Sequence, residues 1–162
     1  NYRAWRIAEI VRLCERAGIP RPAVSQPYYN AMNRMPEVEE IPVCAHYGIG
    51  VVPYSPLARG VLTGKYALGA APNDQSRAGR GDARIMQTEW RKESLAIAQE
   101  FVAHAKKKGC TAGQLAVAWV LNNRFVSAAI AGPRTESQWK DYLGALNVDL
   151  DSADESLSLI HI

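Results

Sequence analysis

The sequence of 162 residues predicts an α/β protein built on a parallel sheet. Two observations predict it. Apolar residues recur at helical spacing in several stretches, and short apolar runs that read as buried strands lie between those stretches. Strands that alternate with helices imply right-handed crossovers and hence parallel pairing.

The elements follow in order. Trp5, Ala8, Val11 and Cys14 recur at steps of three, with Ile7 and Ile10 beside them, so a first amphipathic helix is expected, closed by Gly18 and Pro20. Ala23–Tyr28 reads as a strand with Pro27 at its end. A polar turn, Asn30–Arg34, leads to a second helix over Glu37–Tyr47, whose regular part starts near Pro42 and stops at Gly48. Ile49–Tyr54 is a short strand of buried type. Ser55–Tyr66 is a loop carrying Pro56, Gly60 and Gly64, and Ala67–Ala83 reads as a long mobile excursion, a length that in compact domains marks function or disorder. Leu95, Ala98, Val102 and Ala105 mark a third helix ending in three lysines and Gly109. Thr111-x-x-Gln114 is a capping box opening a fourth, its run Leu115–Leu121 almost wholly apolar and so buried on most sides. Phe125–Ala131 is a third strand, and Thr135-x-x-Gln138 caps a last helix through about Ala145. A doubly wound sheet and a (β/α)8 barrel both fit this order. The absence of a GxGxxG turn weakens the dinucleotide-fold version of the former. A barrel needs eight strands and typically about 250 residues, and three strands would leave an open edge.

Composition narrows the function classes. Apolar residues make up 48% and charged residues 22%, which excludes a disordered polyelectrolyte. No stretch approaches about 18 uncharged apolar residues, so no membrane span is expected. The formal charge of +3 is too mild and too dispersed for a nucleic-acid binder; the basic loop with Arg77, Arg80 and Arg84 is interspersed with Asp74 and Asp82 and lacks stacking aromatics. Cys14, Cys44 and Cys110 are odd in number and far apart, which argues against a disulfide framework or zinc site and for a reducing, cytoplasmic compartment. They read as small apolar groups. Residue 1 is Asn, no basic-then-apolar leader is visible, and the apolar stretch Ser156–Ile162 has no partner pattern before it.

Ligands of parallel α/β proteins bind at the carboxyl ends of the strands, here Gln26–Asn30, Tyr54–Gly60 and Gly132–Thr135. A tyrosine at a strand end, Tyr54, offers a flat face to a planar ring. The hydroxyl and backbone after it, with Arg59 and Lys65, can hold phosphate. Gly132-Pro133-Arg134-Thr135 opens a helix N-terminus with an arginine beside it, a setting that attracts anions. The residues alone leave the plainer readings open: Tyr54 as strand packing, Arg59 and Lys65 as solvated loop charges, Arg134 as an exposed side chain after a Gly-Pro turn. Trp119 reads as core; Trp5, Trp90 and Trp139 as packing anchors; Lys106–Lys108 as a solvated helix end; His46 as a surface or packing residue.

The segments YSPLARGVLTGKY (54–66), GPRTESQW (132–139), VSQPYYN (24–30) and the opening Asn1-Tyr2, taken in this order, resemble the aldo-keto reductase family over residues 1 to about 150. The resemblance implies an α/β fold that is the C-terminal part of a (β/α)8 TIM barrel: strands equivalent to the sixth, seventh and eighth with their helices. It implies an incomplete barrel whose N-terminal half is missing. It implies NADPH as cofactor, NADP(H), and reduction of small-molecule aldehydes and ketones. Carried over, Asn1 and Gln26 would hold the nicotinamide carboxamide, and Tyr54 would stack on its ring. Ser55, Leu57 and Arg59, with Lys65, would line the pyrophosphate, Pro56 and Ala58 between them would belong to the cofactor-binding set, and Arg77 would approach the phosphates. Arg134 would meet the 2′-phosphate, with Gly132 beside it among the cofactor-binding residues; Gln138 and Asp141 would reach the adenosine end. Tyr142 stands where family members often have Asn for an adenine contact. The family's catalytic Asp, Tyr, Lys and His belong to the first half of the barrel, and His46, His104 and His161 do not match its histidine. No catalytic residue is therefore assigned here; Tyr28 and Tyr29 follow a strand near the cofactor without one. No metal is implied.

Two readings follow. The chain is the cofactor-binding portion (1–150) of an NADPH-dependent reductase, inactive alone and followed by a tail (151–162) that is non-native or disordered at 157–162. Alternatively it is a non-catalytic NADPH-binding or regulatory module, or a fragment that does not fold alone. Arg77 and its loop could act as a lid over the cofactor.

Overall fold

A computed structural model describes residues 1–157. They form two compact units: residues 1–56 with 120–131, and residues 57–119 with 132 onward.

In the first unit, helix α1 (Ala4–Ala17) ends on Gly18 at φ 64°, where the glycine N–H closes back on Glu15 and Ile19 on Cys14. Its buried residues are Ile7 and Val11, while Trp5 is 64% exposed. Steps of three turn the helix by 300°, so a 5-8-11-14 row drifts off any one face; the 4-7-11-14 row, alternating threes and fours, stays on it. Trp5 is therefore no packing anchor. A 3-10 turn at Met35–Glu37 precedes α2 (Glu40–Tyr47), so the expected single helix from Glu37 is divided, and Pro42 falls in the first turn of the regular part. Helix α2 packs on α1. Its Ile41 and Cys44 are buried, and Gly48 ends it in the left-handed region.

Strands β1 (Val24–Ser25) and β2 (Gly50–Val51) pair in parallel with Val24 opposite Gly50. Parallel bridging continues beyond them, from Tyr28 to Tyr54, from Val51 to Val126 and from Tyr54 to Ile130. The N–H groups of Val52 and Tyr54 donate to Ser25 and Pro27; those of Ser127 and Ile130 donate to Val51 and Pro53. The third expected strand thus lies parallel to β2 as isolated bridges. Pro27 and Pro53 accept but cannot donate, which breaks the ladder into short pieces. The α/β class with parallel pairing holds, with two regular strands in one sheet.

In the second unit, Asp82 caps a short helix α3 (Ala83–Thr88) by accepting from the N–H groups of Arg84 and Ile85. The end of the expected mobile excursion is therefore ordered. Gly79 is required there, because a Cβ at that position would collide with the backbone of Asn73. Helix α4 (Lys92–Lys108) buries Leu95, Ala98, Phe101 and Ala105 and stops at Gly109, φ 80°. Phe101 takes the place expected of Val102. Burial of Val-, Leu- or Phe-sized side chains contributes roughly 1.5–3 kcal/mol each, so this stripe is what holds α4 in place.

Helix α5 (Ala112–Leu121) opens with the expected reciprocal box: Gln114 N–H donates to Thr111 Oγ1 at 3.0 Å and Thr111 N–H to Gln114 Oε1 at 3.0 Å. Residues Leu115–Val120 are buried, Trp119 among them. Helix α6 (Glu136–Gly144) is capped by Thr135 Oγ1 at 3.2 Å from Gln138 N–H, while Gln138 Oε1 accepts from Arg134 N–H at 2.8 Å rather than from Thr135. Trp139 is 48% exposed, not an anchor, whereas Trp90 meets Tyr66 edge to face at 5.2 Å.

Helix α7 (Ser152–Leu157) carries Asp154, whose buried carboxylate accepts from His104 Nε2 at 2.6 Å and Lys108 Nζ at 2.7 Å. Lys108 is therefore an ion-pair partner and not part of a solvated end. The tail up to Leu157 is helical here; the expectation for 158–162 lies outside the described residues. Among the described residues no helix is long and apolar enough to cross a membrane.

Candidate functional site

Some of the predicted residues come together in two clusters, one in each unit. In the first, a cleft of about 490 Å³ is lined by Asn1, Tyr28, Tyr54, Asn33, Glu39 and Glu40 among others. Parallel bridging sets Tyr28 beside Tyr54, with ring centroids 5.4 Å apart and planes tilted by 38°. Asn1 ties them together. Its Oδ1 accepts from Tyr28 N–H at 3.1 Å and its Nδ2 donates to Tyr54 Oη at 2.9 Å. Both ends of the Asn1 amide are thus engaged within the protein. Gln26 is exposed beyond β1. Ser55, next to Tyr54, has φ 56°, in the left-handed region that non-glycine residues rarely enter.

Beneath this cluster lies a polar network that the sequence did not flag. Tyr29 is buried; its hydroxyl donates to Glu37 Oε1 at 2.6 Å and accepts from Asn123 Nδ2 at 3.2 Å. Glu37 in turn receives Arg34 Nε and Nη2. Burial, aided by the Glu37 carboxylate, pushes the Tyr29 phenol well above its ordinary range. Such a phenol stays neutral, and its bonds to Glu37 and Asn123 hold the turn.

In the second unit the polypeptide makes a tight turn at Ala58–Gly60, with φ 46°, 56° and 93° at three successive residues. It is closed by Gly60 N–H to Leu57 O at 2.8 Å and Val61 N–H to Ala58 O at 3.0 Å. Ala58, Val61 and Leu62 are buried, which anchors the turn and lets its strain persist. Gly60 leaves room for Lys65: a Cβ there would stand 2.7 Å from Lys65 Nζ. Arg59 Nε donates to Thr88 Oγ1 at 3.3 Å. The Asp82 carboxyl is held below its ordinary value by the Ile85 N–H first, then by the Arg84 N–H and the charges of Arg77 and Arg59. The guanidinium charges of Arg59 and Arg77 are thus both felt at one carboxylate. Burial raises the Tyr142 phenol against the opposing Gly132 N–H and Arg77 charge, which sets Arg77 near α6 as well.

At the start of α6, Arg134 is exposed and its backbone is drawn to Gln138. Asp141 accepts from Thr111 Oγ1 at 2.6 Å. Its carboxylate thus holds the threonine that caps α5, while the Gln138 side-chain carbonyl accepts from the backbone at the start of α6. Among the described residues no group of three His, Cys, Asp or Glu stands close enough to hold a metal.

The profile of the Aldo/keto reductase family matches residues 1–157. This chain belongs to that family. It is 35% identical over 149 residues to a probable voltage-gated potassium channel subunit beta of Arabidopsis thaliana, covering 91% of this chain and 45% of that protein. The corresponding protein of Oryza sativa subsp. japonica is 34% identical over the same length, 91% of this chain and 45% of that protein. An uncharacterized oxidoreductase, YrpG, of Bacillus subtilis (strain 168) is 32% identical over 151 residues, 93% of this chain and 44% of that protein. The chain spans about half the length of the curated relatives it matches. For this aldo/keto reductase chain, the structure gathers Asn1 and Tyr54 in one cluster and Arg59 and Arg77 in the other. Arg134 and Gln138 stand at the start of α6. Sequence reasoning passed over Tyr28 as a partner of Asn1 and Asp82 as the partner of the arginines; the Asp82-x-x-Ile85 cap was the signal for the latter.

Proposed function

We propose that this chain supplies the NADPH-binding part of an oxidoreductase that reduces aldehydes or ketones, within a (β/α)8 barrel. The observation that carries the reading is the left-handed turn of Ala58, Arg59 and Gly60, inside the segment that resembles the family's cofactor loop. Strained non-glycine backbone persists at sites where a ligand needs it. Arg59, Arg77 and Lys65 beside that turn supply the positive charge a pyrophosphate requires. The cofactor, when bound, supplies the hydride. Tyr54 would present its ring face to the nicotinamide, its hydroxyl held by Asn1. Arg134 would clamp the 2′-phosphate with its planar fork.

A second reading, a regulatory NADPH-binding module, is favoured by the 35% identity to a potassium channel beta subunit. Both readings expect fluorescence quenching when the chain is titrated with NADPH, and absence of quenching up to millimolar NADPH would sink both. Arg134→Ala should weaken NADPH about tenfold and leave NADH unchanged; equal losses for the two would refute the 2′-phosphate role. The two readings part on turnover. The 162-residue chain alone should reduce no aldehyde, whereas the whole protein should do so only if it is a reductase.

A further inference from the structure

We infer that Asn30 is a positioning residue that holds the strained Tyr54–Ser55 backbone in place. Asn30 is fully buried, and a buried amide must find partners for both of its ends. It does so on two segments. Its Oδ1 accepts from Met32 N–H at 3.0 Å, and its Nδ2 donates to the Ser55 carbonyl at 3.1 Å. Its own backbone is clamped in turn: Asn30 N–H donates to Asn33 O and Asn33 N–H to Asn30 O at 2.9 Å. Asn33 Nδ2 also donates to Tyr28 O at 2.6 Å. The turn 30–33 is thus a rigid base carrying one outward donor, and that donor meets the residue after Tyr54.

Ser55 lies at φ 56°, a conformation that a β-carbon disfavours. A residue in that region persists only when its surroundings hold it there. Among those surroundings, the Asn30 amide fixes the direction in which the Ser55 carbonyl points. With that carbonyl fixed, the Ser55–Pro56 peptide cannot rotate, which holds Ser55 in its left-handed conformation and so sets the course of the backbone next to Tyr54, whose ring tilts against Tyr28 and is bonded by Asn1. The restraint rests on this geometry alone. Its consequence for ligand binding rests on the cofactor reading above.

The test is a cycle of Asn30→Ala, Ser55→Gly and the double variant in the 162-residue chain. Glycine enters the left-handed region without strain, so it should make the clamp dispensable. Asn30→Ala should weaken NADPH about tenfold, the size expected for one buried hydrogen bond with its orphaned carbonyl. It should leave 2′,5′-ADP, which lacks the nicotinamide, within about twofold. The double variant should recover most of the NADPH affinity and most of the lost thermal midpoint. Asn30→Asp, which can accept from Met32 but in its charged form cannot donate to Ser55, should behave like Asn30→Ala. Equal losses for NADPH and 2′,5′-ADP, or no recovery by Ser55→Gly in either readout, would overturn the positioning role. An Asn30→Ala chain that fails to fold with or without Ser55→Gly would do the same. A parent chain that binds no NADPH sinks the cofactor reading instead, and the thermal cycle then decides on Asn30 by itself.

Discussion

Around Tyr54 the groups that hydrogen-bond to the ring and its adjoining backbone are neutral and already committed to one another: Asn1 to Tyr28 and Tyr54, Asn30 to Ser55. Around Asp82 they are charged. Arg59 and Arg77 lie close enough to depress the Asp82 carboxyl, and Arg77 is exposed to solvent. The first cluster is preorganised by hydrogen bonds whose loss changes shape. The second is preorganised by a backbone turn and offers charge whose loss changes attraction. A flat ring needs a fixed platform, and a polyanion needs cations, so each cluster suits a different kind of group.

That contrast can be broken experimentally. The largest effect is expected for Arg59→Ala with Arg77→Ala, which should weaken NADPH about a hundredfold, each charge-assisted contact being worth about tenfold. The dependence of affinity on salt should also flatten, since these are screened charges. Titrations at two ionic strengths check this; a loss below about threefold would show that the turn alone carries the phosphates.

Next comes Asp154→Ala, which removes a buried carboxylate from Lys108 and His104 and should cost about 2 kcal/mol in urea unfolding. Burial raises the Asp154 carboxyl, but Lys108, the Asp151 N–H and His104 outweigh it and leave it below its ordinary value of 3.8. A depressed carboxyl contributes stability above its unfolded value. That stability is lost as pH falls through the folded one, so the parent should lose stability below about pH 4 more steeply than Asp154→Ala. Parallel acid-unfolding curves for the two chains would refute this.

The smallest effect is expected for Tyr54→Phe. It keeps the ring and removes only the acceptor for Asn1, so stability should fall by about 1 kcal/mol at most and NADPH affinity by about twofold. A tenfold loss would mean that the hydroxyl, and not the ring face, is what matters in the first cluster.

The parts of the fold legible in the sequence are those decided within four residues. The Thr111–Gln114 box, the glycines that end α1, α2 and α4, and the apolar run of α5 all formed where the pattern placed them. Short elements were harder to read. Helix α3 has six residues, too few for a periodicity, and α7 carries its one buried group, Asp154, as an acid. A row of apolar residues at steps of three misplaced Trp5, because that spacing drifts around a helix.

Local chemistry in the sequence determined where α1, α2 and α4 end and where α5 and α6 begin, the parallel order of the short strands and, through spaced motifs, the family. Tertiary structure alone decided which polar groups pair. Asn30 meets Ser55 across 25 residues, His104 meets Asp154 across 50, and Tyr29 meets Asn123 across 94. It also decided that Ser55, Ala58 and Arg59 take left-handed backbone. The physical reason is the same in each case. A cap or a stripe is satisfied by its own neighbours in the chain, whereas a buried amide, a buried acid or a strained φ is tolerated only when distant segments supply what it lacks.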